Sequence, residues 1–142
     1  MPSQLTYSAD DVYSMARAMP EGAYLELGAL KSAVPTSRTW ARVVWSGWGL
    51  ASLSDDASLV LTELVTNALL HAKGETLHIF LRSDRQRLAI MVGDASPEMP
   101  ARADALSDDD LCGRGLVIVE SLAQHWGAYR VPTGKIVWAI LA

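Results

Sequence analysis

In LVLTELVTNALLHA, Leu59 to Ala72, Glu63 and Asn67 stand four residues apart among mostly apolar neighbours, with Thr62, Thr66 and His71 beside them. On a helix this spacing stacks a carboxylate and a carboxamide one turn apart on one edge. A carboxylate is a proton acceptor and a carboxamide oxygen a neutral ligand, a combination suited to polar chemistry beside an apolar wall. Such pairs are also common on solvated helix edges, so the pair alone assigns no function. Asp94 ends the run RLAIMVGD, where a turn aspartate is the simplest reading. GRGL, Gly113 to Leu116, opens a later apolar segment. Glycines at a helix start expose backbone N–H groups that, with the helix dipole, can meet phosphate oxygens, and Arg114 would add a cation. A dinucleotide-binding reading of these glycines fails, because no strand precedes them and Ile118 stands where G-x-G-x-x-G needs its third glycine.

These residues need elements to hold them. AYLELGAL alternates Tyr24, Glu26 and Gly28 with Leu25 and Leu27, a short strand that stops before Pro35. PTSRTWARVVWSGWGL places Trp40, Val43, Val44 and Trp48 at helical spacing, which predicts a first helix. A second helix starts at LSDD, with Ser54 as N-cap and Asp55 and Asp56 in the first turn, where the dipole favours acidic residues. Ala57, Leu61, Leu64, Val65, Ala68 and Ala72 form its packing stripe, leaving Glu63, Asn67 and His71 along the edge. TLHIFLR and RLAIMVGD, separated by SDRQ, read as an antiparallel hairpin. Ala95 to Cys112 is a Pro-, Ala-, Ser- and Asp-rich loop, longer than most connections in compact domains. GRGLVIVESLAQHWG gives a third helix, and AYRV and KIVWAILA closing strands, the last apolar on both faces and therefore central. The five tryptophans are expected in or against the core. The order predicts a two-layer α/β sandwich with a mixed, mainly antiparallel sheet, residues 23–142 forming one domain behind an extension of residues 1–22.

Composition bounds the function. The chain has 142 residues, half of them hydrophobic and 20% charged, which suits one globular core. No apolar run reaches the roughly 20 residues needed to cross a bilayer. The first twenty residues lack a basic start and a continuous apolar stretch, so no secretory signal is expected and a cytoplasmic location is. One cysteine, Cys112, excludes an internal disulfide, and His71, His78 and His125 lack zinc-binding spacings. A net charge of −4 opposes a broad phosphate-backbone footprint, so nucleic acid is not an expected partner.

Taken in order, ELVTNALLHA, VGDASPEMP, GRGLVIVESLAQHWG and GKIVWAIL resemble the ordered motifs and final strand of the histidine-kinase-like ATPases. The likeness extends from about Leu25 to Ala142 and is strongest to the small stand-alone branch of anti-sigma factor serine kinases and actinobacterial ATP-binding regulators. It implies the Bergerat-type ATP-binding fold, with ATP and Mg²⁺ as cofactors. Asn67 would then be the Mg²⁺ ligand, and Glu63 the group that orients or deprotonates the attacking hydroxyl. Asp94 would accept a hydrogen bond from the adenine amino group, and Gly113, Arg114, Gly115 and Leu116 would line the phosphates under a lid formed by Ala95 to Cys112. On this reading Asp94→Asn weakens ATP and leaves the fold intact. Ile136, where relatives often carry a hydroxyl, would cost one polar contact near adenine, about 1 kcal/mol. The implied function is a serine/threonine protein kinase that phosphorylates a small antagonist regulator and binds a sigma factor. A homodimer is compatible with it. The alternative is a non-catalytic, nucleotide-dependent protein-binding module. Because a sensor histidine kinase needs a separate dimerising helical hairpin, that role is not expected.

Overall fold

The structure, a computed structural model, describes residues 9–71, 75–96 and 111–142. Its elements run α1 (Ala9–Ala18), β1 (Glu21–Gly28), α2 (Ala33–Gly47), a 3₁₀ turn (Ala51–Leu53), α3 (Ser54–His71), β2 (Thr76–Ser83), β3 (Leu88–Asp94), α4 (Leu111–Leu122), β4 (His125–Val131) and β5 (Gly134–Leu141). The strands form one sheet in the order β1-β2-β3-β5-β4, and all four ladders are antiparallel. The expected α/β sandwich is thus present, its sheet antiparallel throughout rather than mixed.

Strand alternation divides the sheet into two apolar faces. Leu77, Ile79, Leu81, Leu88, Ile90, Val92, Val137, Ala139 and Leu141 point one way and join α2, α3 and α4 in the main core. Ala89, Met91, Trp138 and Ile140 point the other way, where Ala16 and Met19 from the α1 segment cover them. Arg82 fixes that segment, its guanidinium donating to the carbonyls of Ala16 at 3.1 Å and Met19 at 2.6 Å. Both faces of β3 and β5 are therefore buried, which explains their nearly unbroken apolar sequence. The helix at Ala9–Ala18 was not expected from the polar composition of this segment.

Two local details depend on packing, and the second corrects the expected N-cap. In α2 the buried residues are Ala33, Ser37, Ala41 and Trp45, whereas Val43 is 72% exposed and Trp40, Val44 and Trp48 only flank the core. Small residues at i, i+4 and i+8 let α2 lie close to its neighbours, and one large residue, Trp45, fills the remaining space. Ser54 has helical φ and ψ and does not cap α3; its Oγ instead accepts the indole N–H of Trp45 at 2.9 Å. Asp55 and Asp56 do occupy the first turn of α3. Trp45 and Trp138 are buried, and Trp126 packs against the main core.

The β2–β3 hairpin closes on Asp84, whose Oδ1 accepts the backbone N–H groups of Gln86 at 3.0 Å and Arg87 at 2.7 Å. The Arg87 N–H bond is the main reason its carboxyl is held below the usual carboxylate range. No helix among the described residues is long and apolar enough to cross a membrane.

Candidate functional site

Topology gathers the singled-out residues at one end of the sheet. α3 ends at His71, β2 begins at Thr76, and β2 pairs with β3 so that His78 faces Gly93. The C-terminal end of α3 and the end of β3 at Asp94 therefore share one edge of the molecule. β5 starts there too, because Asp94 faces Lys135. At the opposite end α4 turns directly into β4: Ala123 N–H bonds the Val119 carbonyl and Gln124 N–H the Ile140 carbonyl, both at 2.8 Å. The N-terminal end of α4, with Gly113 and Gly115, thus returns to the edge that holds Asp94. Of the two, Gly113 is the third residue of the helix and Gly115 the fifth, about half a turn further in. The side chain of Arg114 and most of the Ala95–Cys112 loop lie outside the described residues. Leu116 is buried at 2% exposure.

Asn67 is not on a solvated edge. It is only 4% exposed, and among the described residues neither its Oδ1 nor its Nδ2 has a hydrogen-bond partner. α4 packs along α3. A buried polar group without a partner costs about 1–3 kcal/mol, so a carboxamide with both ends unpaired is a standing expense unless a ligand relieves it. Glu63, one turn earlier, is half-buried, and burial pushes its carboxyl above the ordinary carboxylate value. His71 is half-buried in the last turn.

The raised Glu63 value has a consequence for stability. Because the folded state holds this proton more tightly than the unfolded chain, its stabilising contribution is complete below the unfolded value and is lost as pH rises through the folded one. Glu63→Gln is therefore expected to melt higher than wild type near pH 7, the gap closing as pH falls toward the ordinary carboxylate value of 4.5. Thermal melts of both proteins across that range check it.

Asp94 and Lys135 form a cross-strand pair on the helix-covered face, both side chains fully buried. Lys135 Nζ lies 3.0 Å from each carboxylate oxygen. Only the contact to Oδ1 has hydrogen-bond geometry, and Oδ2 is left buried without a donor aimed at it. Oδ1 also accepts the Ser96 N–H at 2.8 Å, an Asx turn that shapes the chain after β3 without glycines. Lys135, paired with Asp94, is the residue at this end of the sheet that the sequence pattern does not single out. Ile136, the next residue, packs against the cluster on the opposite face of the sheet, so its lack of a hydroxyl removes nothing from the surroundings of Asp94.

Gly134 makes this pairing possible. Its φ of 153° disfavours a side chain, and a Cβ there would run into the Asp94 carbonyl and the Ala95 backbone. Gly134→Ala is expected to push β5 away from Asp94, lowering the melting temperature and nucleotide affinity together. Calorimetry on the variant reads both.

A separate open groove between α2 and α3, lined by Arg38, Arg42, Asp55, Ser58, Leu59 and Thr62, contains none of these residues. Among the described residues no cluster of three or more His, Cys, Asp or Glu could hold a metal. A cation at Asn67 would therefore draw its other ligands from phosphate and water, the habit of Mg²⁺ in nucleotide sites.

A helix-backed antiparallel sheet that carries a buried carboxamide and a buried aspartate–lysine pair at one end is a two-layer α/β sandwich. The family model for the histidine kinase-like ATPase domain matches residues 27–141, and the chain belongs to that family. Membership implies ATP binding. A comparison with curated proteins finds no match.

Proposed function

We propose that the protein is an ATP-dependent regulator of the anti-sigma factor kinase type, transferring the γ-phosphate of ATP to a serine or threonine of a small partner regulator and binding a sigma factor. The observation that carries the nucleotide part is the partnerless, buried Asn67 carboxamide, which fits a site completed by a ligand. Asn67 Oδ1 would hold Mg²⁺, and the ion would supply charge neutralisation at the phosphates. Asp94 Oδ2 would accept the adenine amino group, and the N-terminal turn of α4 would meet the phosphates.

Glu63 supports the transfer step. Its carboxylate takes the proton of the acceptor hydroxyl as that oxygen bonds the γ-phosphorus. The bond from phosphorus to the β–γ bridging oxygen breaks, and ADP leaves with the electron pair. Partial burial raises the proton affinity of Glu63, which favours that role.

The test measures γ-phosphate transfer to candidate partner proteins. Glu63→Gln should keep MgATP binding and lose about 10²- to 10⁴-fold in transfer. If a competent partner is phosphorylated equally by wild type and Glu63→Gln, Glu63 is no base. If wild type binds ATP and its partner but transfers nothing, the protein is a nucleotide-dependent binding module.

A further inference from the structure

Lys135 has no role in the reaction described above, yet its ammonium is fully buried against the carboxylate proposed to read the base. The two contacts it makes are equal in length, 3.0 Å, and differ in direction. Oδ1 is committed twice, to Lys135 Nζ at 3.0 Å and to the Ser96 N–H at 2.8 Å, and Oδ2 receives no directed donor. A carboxylate with both oxygens free can pair with two neighbouring donors at once. Guanine presents such a pair, its N1–H and 2-amino group, while adenine presents the single 6-amino group as donor.

We propose that Lys135 is a specificity-determining positioning residue: by holding Oδ1 it reduces Asp94 to a one-point acceptor that suits adenine and gives guanine no second contact. Fixed charge on the neighbouring strand does this better than a neutral donor, because a charge-assisted bond is not easily displaced by a base N–H. Gly134 contributes indirectly, since its close approach to the Asp94 backbone sets the cross-strand register that brings Nζ to the carboxylate. The inference rests on the reading of Asp94 as the base contact.

The experiment titrates MgADP, MgIDP and MgGDP into the full chain by calorimetry. IDP differs from GDP only in lacking the 2-amino group, so the pair counts the oxygens available on Asp94. In wild type ADP should bind about tenfold or more tightly than either, with IDP and GDP within about threefold of each other. In Lys135→Met, Oδ1 regains a lone pair and GDP should exceed IDP by about tenfold. In Lys135→Arg the fork of the guanidinium takes both oxygens, so ADP affinity should fall at least about tenfold in a protein whose circular dichroism and melting show it folded. A purely structural lysine predicts the reverse for this variant, namely ADP affinity restored by the conserved charge.

GDP binding tenfold more tightly than IDP in wild type overturns the proposal. So does unchanged GDP/IDP parity in folded Lys135→Met, or full ADP affinity in folded Lys135→Arg. Should neither variant fold, the wild-type series decides. If wild type binds none of the three nucleotides, the reading of the site as a nucleotide pocket fails and this inference falls with it; if it binds ADP but ranks GDP well above IDP, only the role of Lys135 fails.

Discussion

Asn67→Leu is expected to raise the melting temperature and abolish MgATP binding in the same protein. The two polar atoms of Asn67 are buried without partners among the described residues, and leucine keeps the same heavy-atom branching, in a somewhat larger volume, with nothing to desolvate. Removing the unpaired groups should stabilise the fold by about 1–3 kcal/mol, or several degrees for a chain of this size. Such opposite signs separate the roles, because a residue kept for packing would lose stability when replaced. Differential scanning calorimetry with and without MgATP reads both. A lower melting temperature with nucleotide binding retained would show Asn67 to be a structural residue.

Asp94→Asn carries the second large effect, and here the structure revises what the sequence implied. Replacing the carboxylate leaves Lys135 as an uncompensated buried charge, and breaking such a pair costs about 3–5 kcal/mol. The variant is thus expected to be strongly destabilised as well as weak in nucleotide binding. Combining it with Lys135→Met removes both charges, and most of the stability should return while adenine recognition does not. Denaturant unfolding of the two single variants and the double variant measures the coupling between the residues. A coupling near zero would mean that the pair is effectively solvated.

How far the site could be read from sequence follows from the range of each interaction. The hairpin, the central position of β5 and the acidic first turn of α3 depend on neighbours a few residues away, and local patterning revealed them. Asn67 was placed on an edge because it lies only about 60° around the helix from Leu64, at the margin of the apolar stripe. Its burial depends on tertiary packing, which leaves no trace in the α3 sequence. The Lys135–Asp94 bond joins residues 41 apart in the chain, so GK read as a turn and strand start rather than as half of an ion pair. α1 was missed for a related reason: Ala16 and Met19 make sense as core only against Met91, Trp138 and Ile140 on the far side of the sheet. In α2, periodicity identifies a helix, and close packing selects Ala33, Ser37 and Ala41 for its inner face.

The central claim is that the end of the sheet carrying Asn67 and Asp94 binds MgATP. Calorimetric titration of ATP into the wild-type protein, with and without Mg²⁺, tests it most directly. The account predicts saturable one-site heat that strengthens with Mg²⁺, and stabilisation against heating by about 2.7 kcal/mol when nucleotide reaches a hundredfold excess over its dissociation constant. No heat, together with an unshifted melting temperature at millimolar MgATP, would contradict it.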